Sequence, residues 1–444
     1  MRGILGWAAH LPHGRLDRSQ ITALIGSGGG NGTRAVASYD EDTTTMAVEA
    51  ARNVLRAGGP APDVLWLATT TPAYLDKTNA TAVHAALRLD RSAAAYDALG
   101  SVRSTAGALR AGLAGSSPAL VIGSDLRGGR PGSADETAGG DAAAAVLVGG
   151  HDQGTLLAEL VGQASATEEF LDRWRPPGEA GSRQWEERFG ETKYAPLAAA
   201  ALQSALKAAD LATDGVDALI VSGLHERACA TIAKQSGVEP DKIADRLAAS
   251  IGNPGAAQPL LLLARALEQA GPGQVIVLLV VSDGADAFVF RTTEAVASYV
   301  QPRPVASQIL TGSPVDYGRY LAWRGLLSVE PPRRPEPARP SASAAGRSGD
   351  WKFGLASAGG VLADQAGTVT TFTVDRLAYS QSPPVVFAVV DFDDGERLPV
   401  ELTDVAAADV EIGMRVEMTF RRLFTADGIA NYFWKARPVR GGDD

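Results

Sequence analysis

Two stretches of sequence decide the fold, APDVLWLATTTP at residues 61–72 and GVDALIVSGLHE at residues 215–226. Each has an aspartate, then a short apolar run, then polar residues where the run ends. The aspartates, Asp63 and Asp217, lie 154 positions apart. A strand-like unit that returns after so long an interval predicts an internal duplication.

A second pair of stretches repeats at nearly the same distance. PALVIGSD at 118–125 and GGDAAAAVLVG at 139–149 return as GQVIVLLVVSDGADAFVF at 273–290. Here Asp125 and Asp283 lie 158 positions apart. Because strand and helix patterns repeat in the same order, the sequence predicts two similar α/β halves packed together.

The predicted strands are continuously apolar. Residues 143–148 and 275–281 contain no alternating polar positions, which is typical of strands covered by helices on both faces. We therefore expect an α/β domain over residues 1–330, with halves at about 1–155 and 156–330.

The end of the chain has a different composition. The segment PPRRPEPARPSASAAGRS at 331–348 is rich in Pro, Ser, Ala and Arg, so residues 331–350 are predicted to be an extended linker. Residues 351–444 contain five short alternating runs separated by turn residues. This pattern predicts a small all-β barrel, for which the OB-fold is the best candidate.

Composition limits the classes of function. Hydrophobic residues make up 45% and charged residues 21% of the 444 residues, and the formal net charge is −10. The acidic balance gives no electrostatic footprint for nucleic acid. No apolar run is long enough to span a membrane and no signal-peptide layout is visible, so we expect a cytoplasmic protein. Cys229 is the single cysteine, and the histidines show no metal-binding spacing, so no metal is expected.

Several motifs occur in a consistent order along the predicted α/β domain. They are YDALGSVRSTAGAL (96–109), GGDAAAAVLV (139–148), GLHE (223–226), GNPGAA (252–257) and YGRYLAWRG (317–325). In this order the domain resembles hydroxymethylglutaryl-CoA synthases and ketoacyl synthase III of the thiolase superfamily. The resemblance implies a duplicated αβαβα fold, a homodimer, and an acyl thioester of coenzyme A or a carrier protein as substrate.

The tail carries a second resemblance. GTVTTFTVDR (367–376) and IGMRVEMTF (412–420) are similar to OB-fold proteins that accompany thiolase-like enzymes. A four-cysteine zinc ribbon usually precedes that barrel, but residues 351–365 contain no cysteine, so the resemblance implies that the ribbon and its zinc are lost. It also implies a thiolase or another pathway enzyme as a possible partner.

The resemblance assigns catalytic positions and shows where this chain departs from the family. His225 and Asn253 match the pair that holds a thioester carbonyl and stabilises an enolate. Val102, five residues after Asp97, occupies the position of the family's nucleophilic cysteine. Ser101 and Ser104 are therefore candidate substitute nucleophiles, although a serine at a helix start is also a common N-cap.

Other residues are candidates for substrate contacts. Thr70 and Thr71 stand where the synthases have an acid/base glutamate, and Val102 would line the acyl site. Arg34 is one of the basic residues available for an anionic substrate. The residues that would shape the entrance are Trp174, Arg175 and Arg188. Alternatives remain open: the threonines suit a strand, and the insertion at 169–189 also reads as an amphipathic surface helix.

Three functions remain. The first is a condensing acyltransferase of the hydroxymethylglutaryl-CoA synthase type that lacks the usual cysteine. The second is a lyase that performs a retro-aldol or decarboxylation step on a CoA ester without an acyl-enzyme. The third is a non-catalytic protein that binds acyl-CoA or a thiolase partner.

Overall fold

The computed structural model describes residues 1–179, 181–330, 349–357 and 360–440. In chain order the strands are β1 (Arg2–His10), β2 (Gly14–Asp17), β3 (Thr33–Val36), β4 (Val64–Thr69), β5 (Ala94–Leu99), β6 (Ala119–Leu126), β7 (Asp141–Gly150), β8 (Ala158–Ala166), β9 (Arg173–Trp174), β10 (Arg183–Gln184), β11 (Ala218–Ser222), β12 (Val275–Val281), β13 (Ala285–Thr292), β14 (Ser313–Pro314), β15 (Ala356–Ser357), β16 (Gly360–Val361), β17 (Ala366–Asp375), β18 (Val385–Phe392), β19 (Arg397–Glu401), β20 (Arg415–Ala426) and β21 (Ile429–Pro438). The described helices are α1 (Ser19–Ile25), α2 (Thr43–Arg56), α3 (Ala80–Ala86), α4 (Arg103–Ala114), α5 (Ala134–Ala138), α6 (Glu187–Ala208), α7 (Glu226–Gln235), α8 (Gln258–Gln269), α9 (Val305–Leu310), α10 (Tyr317–Trp323) and α11 (Gly349–Gly354).

Nine strands form one large mixed sheet in the order β11-β12-β13-β8-β1-β7-β6-β4-β5. In the first half, β4 pairs in parallel with β5 and β6, and β6 pairs antiparallel with β7. The second half repeats this arrangement, since β11 and β12 are parallel and β12 and β13 are antiparallel. The halves join where β1 pairs with β8. The predicted duplication is thereby confirmed.

Helices cover this sheet in layers. α4 and α8 share one apolar core with strands from both halves. On the outer side of the first half lie α2 and α3, and on the outer side of the second half lie α6 and α7. Burial on both faces explains why β7 and β12 are continuously apolar. The result is the predicted αβαβα arrangement.

The C-terminal sheet has five antiparallel strands in the order β19-β18-β17-β20-β21. It begins to close on itself where the Thr403 N–H donates to Ala436 O at 2.9 Å. This confirms the predicted all-β fold of the OB type. The predicted linker lies almost wholly at 331–348, outside the described residues, and the predicted domain boundaries stay predictions.

The two folds meet across buried ion pairs at the start of α2. Arg421 of β20 lies 3.2 Å from Asp40, 3.1 Å from Glu41 and 2.6 Å from Asp404. Lys435 of β21 lies 2.9 Å from Asp40. Burial alone would raise the pKa of Glu41, but the Arg421 guanidinium, His10 and the Ser38 N–H together outweigh it and lower that pKa. Arg421 and Lys435 thus pair with carboxylates of both domains, and an apolar cluster that joins α2 to the C-terminal sheet completes the interface.

None of the described helices is both long and apolar enough to cross a lipid bilayer.

Candidate active site

A cavity of about 780 Å³ opens where the two halves meet. Its walls include Thr70 and Val102, which follow β4 and β5, and His225 and Ser282, which follow β11 and β12. The carboxyl ends of parallel strands are the usual site of ligand binding in α/β sheets. The duplication thus brings the ends of two equivalent strands, β4 and β11, to one cavity.

His225 is fixed in this cavity by the helix that follows it. It is the N-cap of α7, and its Nδ1 accepts a hydrogen bond from the Ala228 N–H at 3.0 Å. A nitrogen that accepts such a bond carries no proton, so the proton of the neutral ring lies on Nε2. The local sequence therefore selects the tautomer that presents Nε2–H as a donor.

Asp172 is a carboxylate of the cavity that the sequence analysis missed. A Cβ placed on Gly190 would lie 2.5 Å from Asp172 Oδ1 and 2.7 Å from His225 Nε2, so both atoms face the same point. The Tyr194 side chain lies close enough to the Asp172 carboxyl to influence its pKa, and Asp172 Oδ1 is buried without a hydrogen-bond partner. Burial raises the pKa of Asp172. Asp172 can therefore accept a proton at a higher pH than an ordinary aspartate.

The aromatic ring of Tyr194 completes this wall. Its centroid lies 6.0 Å from the His225 ring, in an edge-on arrangement. Desolvation by burial and the neighbouring Asp172 raise the pKa of Tyr194, so its hydroxyl stays protonated and acts as a donor. Asp172 comes from the insertion between the halves, and acidic and aromatic residues mixed there (EEFLDRW, 168–174) were the available signal.

The side chain at the position predicted for the family's nucleophile is unreactive. Val102 is the N-cap of α4, lines the cavity and is 1% exposed. Ser101 also lines the cavity. Ser104 does not, and its hydroxyl donates to Leu99 O at 3.1 Å. Of the two predicted substitute nucleophiles, the structure therefore brings Ser101 to the cavity.

The single cysteine is remote from this chemistry. Cys229 is fully buried in the apolar core beneath α6 and α7 and does not line the cavity. Burial raises the pKa of its thiol to about 11. A thiol in this state has very little thiolate at neutral pH. Cys229 therefore serves as a small apolar residue of the core.

Thr70 and Thr71 both line the cavity, as predicted for substrate contact. Their hydroxyls already donate to Asp125, at 2.8 Å from Thr70 and 3.3 Å from Thr71. Asp125 also accepts the Thr70 N–H at 2.7 Å and the Ala256 N–H at 2.7 Å. Asp125 therefore ties the end of β4 to the loop before α8 and fixes this wall.

Asn253 lies behind the cavity wall. Its Nδ2 donates to Gly223 O at 2.8 Å, and its Oδ1 accepts the Gly255 N–H at 3.0 Å. Asn253 does not line the cavity. It braces the loop that leads to His225, because one amide atom bonds within its own turn and the other bonds to Gly223. Its contact with a thioester carbonyl stays a prediction.

Of the candidates Trp174, Arg188 and Arg34, one lines the cavity and two lie elsewhere. Trp174 lines the cavity. Arg188 is exposed at the start of α6 and does not line it. Arg34 is fully buried elsewhere, where it donates to Arg127 O at 2.7 Å and stacks on Tyr320. Both terminal nitrogens of Arg34 donate to groups of the protein core, and the residue does not line the cavity.

The side chains of Arg127 and Arg175 reach the cavity. Arg127 Nη1 donates to Thr70 Oγ1 at 3.0 Å, and Arg175 Nη2 donates to Thr70 O at 2.7 Å. Both side chains line the cavity. Among the described residues, no cluster of three His, Cys, Asp or Glu side chains is arranged to hold a metal ion.

Comparison with family models gives two matches. Residues 206–290 match the C-terminal model of 3-oxoacyl-[acyl-carrier-protein] synthase III. Residues 360–421 match the C-terminal OB-fold domain of ChsH2. The first match covers His225 and Asn253, and the second covers most of the C-terminal sheet.

Similar proteins agree with these matches. The chain is 29% identical to the hydroxymethylglutaryl-CoA synthase of Methanopyrus kandleri over 346 residues, which cover 73% of this chain and 97% of that protein. A crystal structure of hydroxymethylglutaryl-CoA synthase with CoA shares the fold at a TM-score of 0.63 and 19% identity, covering 72% of this chain and 89% of that one. The 3-oxoacyl-(acyl carrier protein) synthase III of Pseudomonas aeruginosa follows at a TM-score of 0.57 and 20% identity, covering 66% and 98%. The chain thus combines a thiolase-like domain of the hydroxymethylglutaryl-CoA synthase and ketoacyl synthase III type with a C-terminal OB-fold domain of the ChsH2 type.

Proposed function

We propose that this protein forms or cleaves a carbon–carbon bond next to the thioester carbonyl of an acyl-CoA or acyl-carrier-protein substrate, without an acyl-enzyme. The observation that carries the proposal is the wall shared by His225 and Asp172 in a cavity whose nucleophile position is Val102. A fixed hydrogen-bond donor beside a base suits enolate chemistry, whereas acyl transfer through the enzyme needs a nucleophile.

The reaction divides among these side chains. Asp172 takes a proton from the α-carbon of the thioester, and the electron pair of that bond forms an enolate. His225 Nε2–H stabilises the negative charge on the enolate oxygen. The enolate carbon then bonds to a carbonyl carbon of the second substrate, and the new alkoxide recovers the proton from the Asp172 carboxylic acid, which restores the carboxylate. No metal or organic cofactor has a role in these steps.

The same groups serve both directions. Cleavage begins when Asp172 removes the hydroxyl proton of the product, and the enolate that leaves is again held by His225. This retro-aldol direction is the second candidate within the same site. Condensation is our first choice because the similar proteins described above are named synthases.

Ser101 supports a covalent alternative, since its side chain lines the cavity next to Val102. In that mechanism its hydroxyl would attack the thioester carbonyl and CoA thiolate would leave. The covalent route predicts a mass increase of the protein equal to the acyl group, and the non-covalent route predicts none.

The assembly and location are proposed on the same basis. We propose a cytoplasmic homodimer, with the OB-fold domain held against α2 by the buried charges of Asp40, Glu41 and Arg421. A carrier protein or another pathway enzyme is the proposed external partner.

The test is incubation with a panel of acyl-CoA esters, alone and with a ketoacyl-CoA acceptor, followed by mass spectrometry of both protein and products. The proposal predicts a new CoA ester and no protein adduct, with turnover lost in His225→Ala. An adduct that disappears in Ser101→Ala would establish covalent acyl transfer instead. Binding of CoA esters with no turnover in any pairing would establish the non-catalytic function.

A further inference from the structure

Two guanidinium groups flank one threonine in the cavity wall. Arg127 donates a hydrogen bond to the Thr70 hydroxyl at 3.0 Å, and Arg175 donates one to the Thr70 backbone carbonyl at 2.7 Å. Neither contact neutralises charge, since a hydroxyl and a carbonyl are neutral acceptors. The cavity therefore concentrates two positive charges at the end of β4.

Arg127 is the more informative of the two because it is buried. Its side chain is 8% exposed, yet within the described chain no carboxylate lies within ion-pair distance of Arg127 or of Arg175. By contrast, neighbouring Arg173 is paired with Asp135 at 2.5 Å. A buried, unpaired guanidinium is costly unless a further anion completes the site.

The surroundings hold Arg127 in place. Its backbone N–H donates to Asp141 at 2.8 Å. A Cβ on Gly255 would lie 2.8 Å from Arg127 Cδ, so the glycine of the Asn-Pro-Gly turn leaves room for the arginine stem. The nearby Asp125 carboxylate attracts the Arg127 guanidinium electrostatically, but it accepts its hydrogen bonds from Thr70 and Ala256. The guanidinium is thus held in place with no carboxylate in direct contact among the described residues.

We propose that Arg127 and Arg175 form a binding site for a carboxylate carried by the acyl group of the substrate. The proposal rests on the proposed function and names its substrate class: thioesters of dicarboxylic acids. The Gly100 N–H donates to Thr69 O at 3.2 Å, which places Thr70 beside the loop that carries Val102. An anion bound there lies next to the reacting carbons, whereas the phosphates of CoA lie at the far end of the pantetheine arm.

A carboxylate held by two arginines would orient the acyl chain. Paired, charge-assisted hydrogen bonds fix both the position and the direction of a planar anion. With its distal end anchored at Thr70, the chain extends toward the wall formed by Asp172 and His225. The site would therefore select among acyl groups by charge at one end and present the α-carbon to the base at the other.

The experiment compares two CoA esters that differ only at the end of the acyl chain, butyryl-CoA with a methyl group and succinyl-CoA with a carboxylate. Equilibrium dissociation constants are measured for the wild-type full chain and for Arg127→Met, Arg127→Lys and Arg175→Met. We expect wild type to bind succinyl-CoA about 10- to 100-fold more tightly than butyryl-CoA, as for hydrogen bonds between charged groups. Both methionine variants should lose this preference, so that their dissociation constants for the two esters become similar, and Arg127→Lys should retain part of it.

Succinyl- and butyryl-pantetheine, which lack the nucleotide phosphates, separate the two possible anions. If the preference persists with these esters, the arginines bind the acyl carboxylate. Equal weakening of both CoA esters in Arg127→Met, with no effect on the pantetheine esters, would assign the arginines to a phosphate and overturn the proposal. Equal wild-type affinity for both CoA esters would overturn it too, while binding of neither would overturn the proposed function itself. Arg175 is exposed, so its variant keeps the test valid if Arg127→Met fails to fold.

Discussion

His225 Nδ1 accepts a hydrogen bond from the Ala228 N–H at 3.0 Å, so one imidazole both caps α7 and faces the cavity. The two roles can be separated by substitution. Asparagine is a good N-cap, whereas alanine is not. We expect His225→Asn to keep the stability of wild type and to lose about 10²- to 10³-fold in kcat, as when an oxyanion donor is removed.

His225→Ala is the matched control for this prediction. It should lose a similar factor in kcat and, in addition, about 1 kcal/mol of unfolding free energy with the lost cap. Steady-state kinetics and urea unfolding of both variants provide the measurement. Full activity in His225→Asn would show that the imidazole serves only the helix.

Gly190 tests how tightly the wall is built. A Cβ there would lie 2.5 Å from Asp172 Oδ1 and 2.6 Å from His225 Cδ2, so Gly190→Ala must displace one of the two side chains. Misplacement of catalytic groups by about 1 Å costs on the order of 10²-fold in rate. Gly318→Ala in α10, where a Cβ meets nothing within 4 Å, is the control and should leave kcat unchanged.

Asp172→Asn should remove the base and with it a limb of the pH profile. Burial raises the pKa of Asp172, so the wild-type rate should fall as the pH drops through that raised value and the carboxylate takes up a proton. Asp172→Asn should lose at least about 10²-fold in kcat and show no such limb. An unchanged acid limb in the variant would assign the limb to another group.

The same shift makes a prediction about stability. A carboxyl whose pKa is raised by folding destabilises the folded state at pH values above that pKa, where it is ionised in both states. Asp172→Asn should therefore unfold at a higher temperature than wild type at neutral pH. This advantage should vanish below the ordinary pKa of an aspartate, about 4.

Arg421 tests the interface between the two folds. Arg421→Met leaves Asp40, Glu41 and Asp404 without their shared guanidinium, which should cost about 3–5 kcal/mol. The control is Arg397→Met, which breaks an exposed pair with Asp391 in the same domain and should cost less than about 1 kcal/mol. Because Arg421 helps to lower the pKa of Glu41 to about 2, its contribution should be complete at neutral pH. It should be lost progressively as the pH falls from the ordinary carboxyl pKa of about 4.5 toward 2, where Glu41 takes up a proton in the folded state.

The sequence predicted most of the sheet because burial on both faces leaves a plain signal. The strand expected at 275–281 is observed with the same bounds. In contrast, β8, with the sequence AELVGQASA, was missed. Many of its residues are small or polar and most are half-buried, so its composition resembles that of a loop. Periodicity reports how a segment is buried, so it is weakest for strands at a junction between halves.

The site was harder to predict than the fold. His225 and Val102 follow strands in register with the repeat and were found. Asp172 and Arg127 lie in loops, where no periodicity shows which way a side chain points, and they meet their partners only through the tertiary fold. Arg34 shows the converse problem, since a buried structural arginine and a ligand-binding one look alike in sequence.

The most direct test of the central claim is exchange of the α-hydrogens of an acyl-CoA with solvent. Wild-type protein is incubated with butyryl-CoA in deuterium oxide, without a second substrate, and the mass of the ester is followed. Enolate formation by Asp172 and His225 predicts incorporation of deuterium at the α-carbon, abolished in Asp172→Asn and in His225→Asn. A wild-type protein that binds butyryl-CoA but leaves its mass unchanged would contradict the account.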